Sequence, residues 1–395
     1  MKILMLTPYL PYPLISGGQI RTYNLLKNLS KSHKITLFSY IRSQEEEKYK
    51  KELLKYCKNV YLIKRRRAWA LKNILLAGFT PYPFLVCLYL SQGLKNAINE
   101  TLKREKFDLV HAETFYIMPQ LAQSKLPIFL VEQTIEWLVY QRYTQEVKNP
   151  LLKPFLWFDV AKIKFWEKYF WKKANKLAAV SEEDRQIIGQ TVNIKNIEIV
   201  ANGVDVDFFS KTGNKKDKTK TVLFVGNFKW LPNSDAALFL VNKIWPKILD
   251  KYKNAQLWIV GKNPTEKILA LEKSKNVLVK SDIEDIRDAF SQADVMLAPI
   301  RNGRGTKYKV LEAIATRTPV VATPLAVEGL NISDGKEVLV GKTAEELAEK
   351  TASILENSKL GETLAKRAYM ILKNKYNWET ISKELDNIYR EIGGK

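Results

Sequence analysis

Val295-Met-Leu-Ala-Pro-Ile300 runs into Arg301-Asn-Gly-Arg-Gly-Thr306, then Lys307-Tyr-Lys-Val-Leu-Glu-Ala-Ile-Ala315, then Thr318-Pro-Val-Val-Ala-Thr323. The first piece is an apolar run closed by a proline. The second is a polar turn with two glycines. The third has Val310, Leu311 and Ile314 at helical spacing, and the fourth is again apolar. Apolar runs without alternation, joined through an amphipathic helix, predict parallel strands buried on both faces, the signature of an α/β sheet.

The same alternation extends outward. Val222–Val225, Leu257–Val260 and Val277–Val279 precede the quoted stretch and complete a second α/β unit. An earlier series consists of Ile3–Leu6, Ile35–Ser39, Val60–Ile63, Leu109-Val110, Ile128–Val131, Leu177–Val180 and Ile197–Val200. Between the two series Ser210–Lys220 is polar and basic, the composition of an exposed linker. After Trp378, Glu379–Ile392 reads as a helix with Ile381, Leu385, Ile388 and Ile392 on one face, expected to pack back on the first domain. The expected division is therefore 1–205 with 378–395, and 206–377. A chain of 395 residues fits two domains.

Composition excludes several classes. Two cysteines, Cys57 and Cys87, and two histidines, His33 and His111, leave no disulfide scaffold, zinc ribbon or multi-histidine metal site. There is no G-x-G-x-x-G after a strand and no G-x-x-x-x-G-K-[ST]. The N-terminus reads as a strand rather than a signal peptide, and no apolar window is long enough to span a bilayer. A cytoplasmic protein is expected.

The net charge of +22 is uneven: residues 1–180 carry 30 Lys+Arg against 13 Asp+Glu. Such a half is drawn to anionic surfaces. Lys64-Arg-Arg-Arg67, followed by Ala68-Trp-Ala-Leu-Lys-Asn-Ile-Leu-Leu-Ala77, reads either as an interfacial anchor or as a solvated basic turn before a core helix. Pro154–Trp171 is aromatic-rich. It is read first as a long helix filling a core, with membrane contact as the alternative.

Ligands of open α/β sheets bind beyond the carboxyl ends of strands. The first strand exits through Thr7–Pro13 to Ser16-Gly17-Gly18-Gln19 and a helix, where backbone can approach an anion. His111 stands at another strand exit and is expected to face a ligand, whereas His33 is expected to be solvated at a turn. In the quoted stretch, Gly303 and Gly305 precede a helix start, and Arg301, Arg304, Lys307 and Lys309 supply cations, a set suited to a diphosphate. Glu312 shares a helix face with Lys309 and can take a ribose diol.

At these residues the chain resembles the retaining, nucleotide-sugar-dependent glycosyltransferases of family 4 (glycosyl transferases group 1). The matching pieces lie in family order. They are Ser16-Gly17-Gly18, Val180-Ser181, Ala201-Asn-Gly-Val-Asp205, Val225-Gly226-Asn227, and Lys309-Val-Leu-Glu312-Ala313 with Thr318-Pro-Val-Val-Ala322. Phe228-Lys-Trp-Leu-Pro-Asn233 is similar to a branch that builds polysaccharides. Two positions depart from the pattern. Arg304 stands where the family usually has the first of two glutamates, and Asn227 stands where an arginine is common, with Lys229 as a substitute.

The resemblance implies the GT-B fold, two Rossmann-like α/β domains facing each other across a cleft, the first holding the acceptor and the second the nucleotide sugar. It implies a donor site of Gly17, Gly18, Asn227, Lys229, Arg304, Gly305, Thr306, Lys309 and Glu312, with His111 in the catalytic position. The anomeric configuration is kept by a front-face route, and the leaving diphosphate serves as base. No metal or further cofactor is needed beyond the nucleoside-diphosphate sugar. The acceptor is expected to be lipid-linked or a polysaccharide, met peripherally at the inner face of an anionic membrane. The alternatives are a nucleotide-sugar epimerase of the same architecture and, on charge alone, a nucleic-acid-binding protein, for which no reading motif is present.

Overall fold

The apolar runs fold as strands. The computed structural model describes residues 1–121, 125–211, 219–281, 283–303 and 308–394. The first series forms β1 (Lys2–Thr7), β2 (Lys34–Ile41), β3 (Asn59–Lys64), β4 (Leu109–Glu113), β5 (Ile128–Glu132), β6 (Lys176–Ala179) and β7 (Ile197–Ile199). The second forms β8 (Thr221–Asn227), β9 (Gln256–Lys262), β10 (Val277–Ser281), β11 (Val295–Ala298), β12 (Val320–Ala322) and β13 (Leu339–Val340). The helices that matter for function are α1 (Gly17–Leu29), α2 (Leu71–Phe79), α3 (Glu136–Glu146), α4 (Lys153–Lys173), α5 (Leu231–Phe239), α6 (Tyr308–Ala315) and α7 (Trp378–Gly393).

The strands make two parallel sheets, ordered β3-β2-β1-β4-β5-β6-β7 and β10-β9-β8-β11-β12-β13. Ile3, Leu4, Met5, Leu109 and Val110 are fully buried in the first, and Val222, Leu223, Phe224 and Leu297 in the second, because helices cover both faces. Each sheet is wound outward from a central pair, β1 with β4 and β8 with β11. Such a switch in strand order opens a crevice at the carboxyl ends, where ligands of doubly wound sheets sit. The chain divides into two compact units, Met1–Ala201 with Ile381–Lys395, and Asn202–Thr380.

Four local expectations change. β4 continues past the apolar pair through His111 and Glu113, whose polar atoms find buried partners. His33 is 5% exposed and Nε2 lies 2.8 Å from Asp386 Oδ1 on α7, so it is covered rather than solvated. The run Lys64–Arg67 is not a free basic turn: Arg66 donates to the Cys87 and Leu90 carbonyls, and Arg65 to the Tyr89 hydroxyl at 3.0 Å. α4 fills a core with only one face: Val160, Ile163, Phe170 and Trp171 are buried, while Phe155, Phe158 and Phe165 stand 74%, 62% and 61% exposed. The expected linker 210–220 lies largely outside the described residues. β13 escaped the sequence reading because two residues carry no periodicity.

Candidate functional site

In the first unit the switch between β1 and β4 is packed with polar side chains. Ser16 caps α1, and Gln19 returns the bond to the Ser16 N–H at 3.2 Å, closing a capping box. Gln19 Nε2 also donates to the Leu10 carbonyl at 3.0 Å, so the proline-stiffened loop is tied to the helix it feeds. Gly17 and Gly18 are the first residues of that helix, the end that attracts anions. A Cβ on Gly18 would lie 2.3 Å from the Tyr9 hydroxyl oxygen and 2.9 Å from Gln133 Oε1. Glycine is needed there because a ring crosses the backbone.

Beneath this turn runs a buried network. Gln133 Nε2 donates to the Tyr9 hydroxyl and to Glu113 Oε2, both at 2.6 Å. Glu113 Oε1 lies 3.1 Å from His111 Nε2 and 3.7 Å from Arg21 Nε. Arg21 Nη1 donates to the Val200 and Ala201 carbonyls at 2.9 Å. Burial pushes the Glu113 carboxyl up, but the Arg21 guanidinium, His111 and Gln133 outweigh it and hold the carboxyl at about 2. Glu113 is therefore a permanent anion at neutral pH. The residue after it, Thr114, has φ 83°, strained backbone for a β-branched residue at the end of a strand that faces a ligand crevice.

His111 is fully buried, with Nδ1 engaged by the Tyr389 hydroxyl of α7 and Nε2 by Glu113. A ring so held offers no open nitrogen to a substrate. Strand alternation explains the placement, since His111 points to the same face as Glu113 and α7 closes over it. Glu132 at the end of β5 is also enclosed: it accepts from Trp171 Nε1 at 3.0 Å, and burial pushes it up.

In the second unit the switch lies between β8 and β11. Asn227 ends β8; its Oδ1 accepts from the Lys229 N–H at 3.2 Å and from Asn263 Nδ2 at 3.1 Å. Asn233, on α5, donates through Nδ2 to the Asn227 carbonyl at 2.8 Å and accepts from Lys309 Nζ at 2.7 Å. Lys309 comes from the first turn of α6, so the exits of β8 and β11 share one polar cluster. The backbones there approach closely: a Cβ on Gly261, at φ +153°, would meet the Gly226 carbonyl oxygen at 1.7 Å. Glu312, one helical turn past Lys309, is half-buried; burial pushes its carboxyl up to about 7, with Lys309 pulling the other way. Lys229 is exposed. Arg301 forms a fork on Asp235, with Nη2 2.6 Å from Oδ1 and Nε 3.1 Å from Oδ2.

Of the residues singled out in the sequence, Asn227, Lys309 and Glu312 gather at the β8–β11 switch with Lys229 at its edge. Gly17, Gly18 and His111 gather at the β1–β4 switch. Arg304, Gly305 and Thr306 lie outside the described residues. Sequence reasoning missed Asn233, which joins the two strand exits, and the Arg21–Glu113–Gln133–Tyr9 network. Asn233 had a signal, since it lies in the Trp230-Leu-Pro-Asn233 segment at a helix start. The network had none, because its members are spread over 125 positions.

The comparisons with known proteins agree with this architecture. The family model described as Glycosyltransferase Family 4 matches residues 15–208, and that described as Glycosyl transferases group 1 matches residues 219–357. An uncharacterized 44.6 kDa protein in the cps region of Klebsiella pneumoniae is 23% identical over 351 residues, covering 86% of this chain and 87% of that protein. A phosphatidyl-myo-inositol mannosyltransferase of Mycobacterium tuberculosis is 29% identical over 198 residues, 46% of this chain and 50% of that enzyme. Among solved structures, Anabaena HepE in complex with UDP-glucose superposes with a TM-score of 0.68 at 14% identity, covering 99% of this chain and all of that one. With models of one enzyme class matching both halves, the chain belongs to the glycosyltransferases of family 4 and group 1, on the GT-B fold.

Proposed function

We propose that the protein transfers a sugar from a nucleoside diphosphate to a lipid-linked or polysaccharide acceptor at a membrane surface, with retention at the anomeric carbon. The observation that carries this reading is the Lys309–Asn233–Asn227 cluster at the β8–β11 switch. An ammonium held at the first turn of a helix, beside a strand exit, is placed to meet a diphosphate. As the bond from the anomeric carbon to the diphosphate oxygen breaks, negative charge grows on that oxygen. Lys309 is positioned beforehand by Asn233, so it stabilises the charge without reorganising. Arg304, Gly305 and Thr306, next to Lys309 in sequence, are assigned to the same diphosphate by the family resemblance. Asn227 and Lys229 meet the donor from the β8 side, and Glu312 accepts a hydrogen bond from the donor's ribose or, when protonated, donates one.

In this reading the acceptor hydroxyl attacks from the face the diphosphate leaves, and the departing phosphate oxygen takes its proton. No metal is called for, because cationic side chains meet the charge. The Gly17–Gly18 helix start, at the β1–β4 switch of the first unit, takes an anionic group of the substrate through backbone. His111 holds Glu113 and Tyr389 in place as a positioning residue rather than touching the sugar. The UDP-glucose bound by HepE and the lipid substrate in the mannosyltransferase's name support the donor and acceptor classes. The cps-region relative favours polysaccharide synthesis. Neither family match favours the epimerase alternative.

Incubation with a panel of labelled nucleoside-diphosphate sugars tests the reading. Slow release of free sugar and nucleoside diphosphate is expected from one donor, with a retained anomeric configuration by NMR once an acceptor is supplied. Interconversion of the sugar on its nucleotide, with no release, would contradict it.

A further inference from the structure

Two segments far apart in sequence expose large apolar side chains on the first unit. α2 presents Leu71, Ile74, Leu75 and Phe79 at 69%, 47%, 48% and 87% exposure, with Trp69 just before it at 81%. Its buried Asn73 pins the helix by donating to the Arg67 and Ala68 carbonyls at 2.8 and 3.2 Å, so the apolar side chains are turned outward by structure rather than by fraying. Leu71, Leu75 and Phe79 line an apolar groove of about 460 Å³ with Lys72, Leu76 and Thr80.

The strap that leaves α2 is fastened along α4. Lys162 Nζ donates to the Ala77 and Thr80 carbonyls at 2.6 and 2.8 Å, Trp166 Nε1 to the Pro81 carbonyl at 2.8 Å, and Asp159 Oδ1 accepts from the Phe84 N–H at 2.8 Å. Asp159, Lys162 and Trp166 form one stripe of α4. By helical periodicity Phe155 stands on that same stripe, one turn before Asp159, and the next stripe is Phe158, Phe165 and Tyr169; all four aromatics are exposed. Beyond it lies a row of lysines at a spacing of four, Lys164, Lys168 and Lys172, of which Lys164 and Lys172 are exposed. No other stretch of the described residues exposes as many large apolar side chains.

We propose that α2 and α4 together are a monotopic docking face for an anionic bilayer, the aromatic stripe and α2 entering the headgroup region and the lysine row meeting lipid charge. This rests on the membrane-surface reading above and assigns it to particular side chains. Charge decides the occupant. An apolar stripe bordered by lysines, in a half with a large excess of cations, complements anionic headgroups. A second copy would bring the same cations against themselves. No helix of the described residues is long and apolar enough to cross a membrane, so the face lies on the bilayer. The Arg65–Arg66 pair is not part of it, being bound to the protein's own carbonyls and a tyrosine.

The test uses the full chain with vesicles of phosphatidylcholine alone and with added phosphatidylglycerol, read by co-sedimentation. Nucleoside diphosphate affinity is measured in solution on the same preparations. The parent should bind anionic vesicles. Joint Phe155→Ser and Phe158→Ser should lower partitioning about tenfold or more. Joint Lys164→Glu and Lys168→Glu should abolish the preference for anionic lipid. Both variants should keep the parent's nucleotide affinity, which also shows they are folded. A parent that binds no vesicles while binding nucleotide, or variants that bind vesicles as the parent does, would overturn the docking face. So would a soluble dimer that the Phe155→Ser, Phe158→Ser variant abolishes. Vesicle binding without affinity for any nucleoside diphosphate would support the face and remove the transferase reading.

Discussion

Lys309 Nζ donates to Asn233 Oδ1 at 2.7 Å, joining α6 to α5. The same asparagine donates to the Asn227 carbonyl, so a single side chain fixes the spacing of two strand exits. Replacing Asn233 with Ala removes both bonds, and with them the asparagine's hold on Lys309. The donor KM should rise about three- to tenfold, with a stability loss of about 1–2 kcal/mol by chemical denaturation. An unchanged KM would remove Asn233 from the site.

Glu113 makes a pH-dependent contribution of known sign. Its carboxyl is held at about 2 in the folded chain against an ordinary 4.5, so the folded state favours the anion. The stabilisation is full above the ordinary value and is lost as pH falls towards the folded one. Urea unfolding at about pH 5 and about pH 3 should therefore show a steeper acid loss for the parent than for Glu113→Gln. The variant should also be less stable at neutral pH by about 3–5 kcal/mol, since Arg21 is left buried against a neutral group. Parallel acid curves would contradict the pairing.

Gly18→Ala sets a methyl against the Tyr9 ring, which Gln133 holds in place. We expect a stability loss of about 1–3 kcal/mol and a lower kcat/KM, with partial recovery when Tyr9→Ala makes room. A fully active Gly18→Ala variant would show that the turn has slack.

His111 and Tyr389 should be coupled. Single changes to His111→Asn and Tyr389→Phe should each destabilise, and the double change should cost less than their sum by about 0.5–3 kcal/mol. If His111 acts only by positioning, kcat should follow the placement of Glu113 without a new ionisation in its pH profile. A histidine-dependent limb lost in His111→Asn would instead show that its ring takes part directly.

Much of the fold was legible because buried parallel strands announce themselves as unbroken apolar runs: Val222–Val225 and Val295–Ala298 are strands for the reason their sequence states. The strand exits followed from that, and with them Gly18 and Lys309, while Asn227 came through the family resemblance alone. What stayed hidden depends on distant partners. His111 looked like a residue at a ligand rim because nothing near it in sequence shows that Tyr389, from the last helix, closes over it. His33 was misjudged for the same reason, through Asp386. The aromatics of α4 looked like core because spacing reveals a helix but not how many of its faces have neighbours.

In the proposed reaction Lys309 meets the donor diphosphate. Isothermal titration of the parent and of Lys309→Met with the nucleoside diphosphate that the donor screen selects tests it most directly. A loss of about ten- to a hundredfold in affinity, with thermal unfolding nearly unchanged, is the predicted result. Equal affinity in the two proteins would contradict the account.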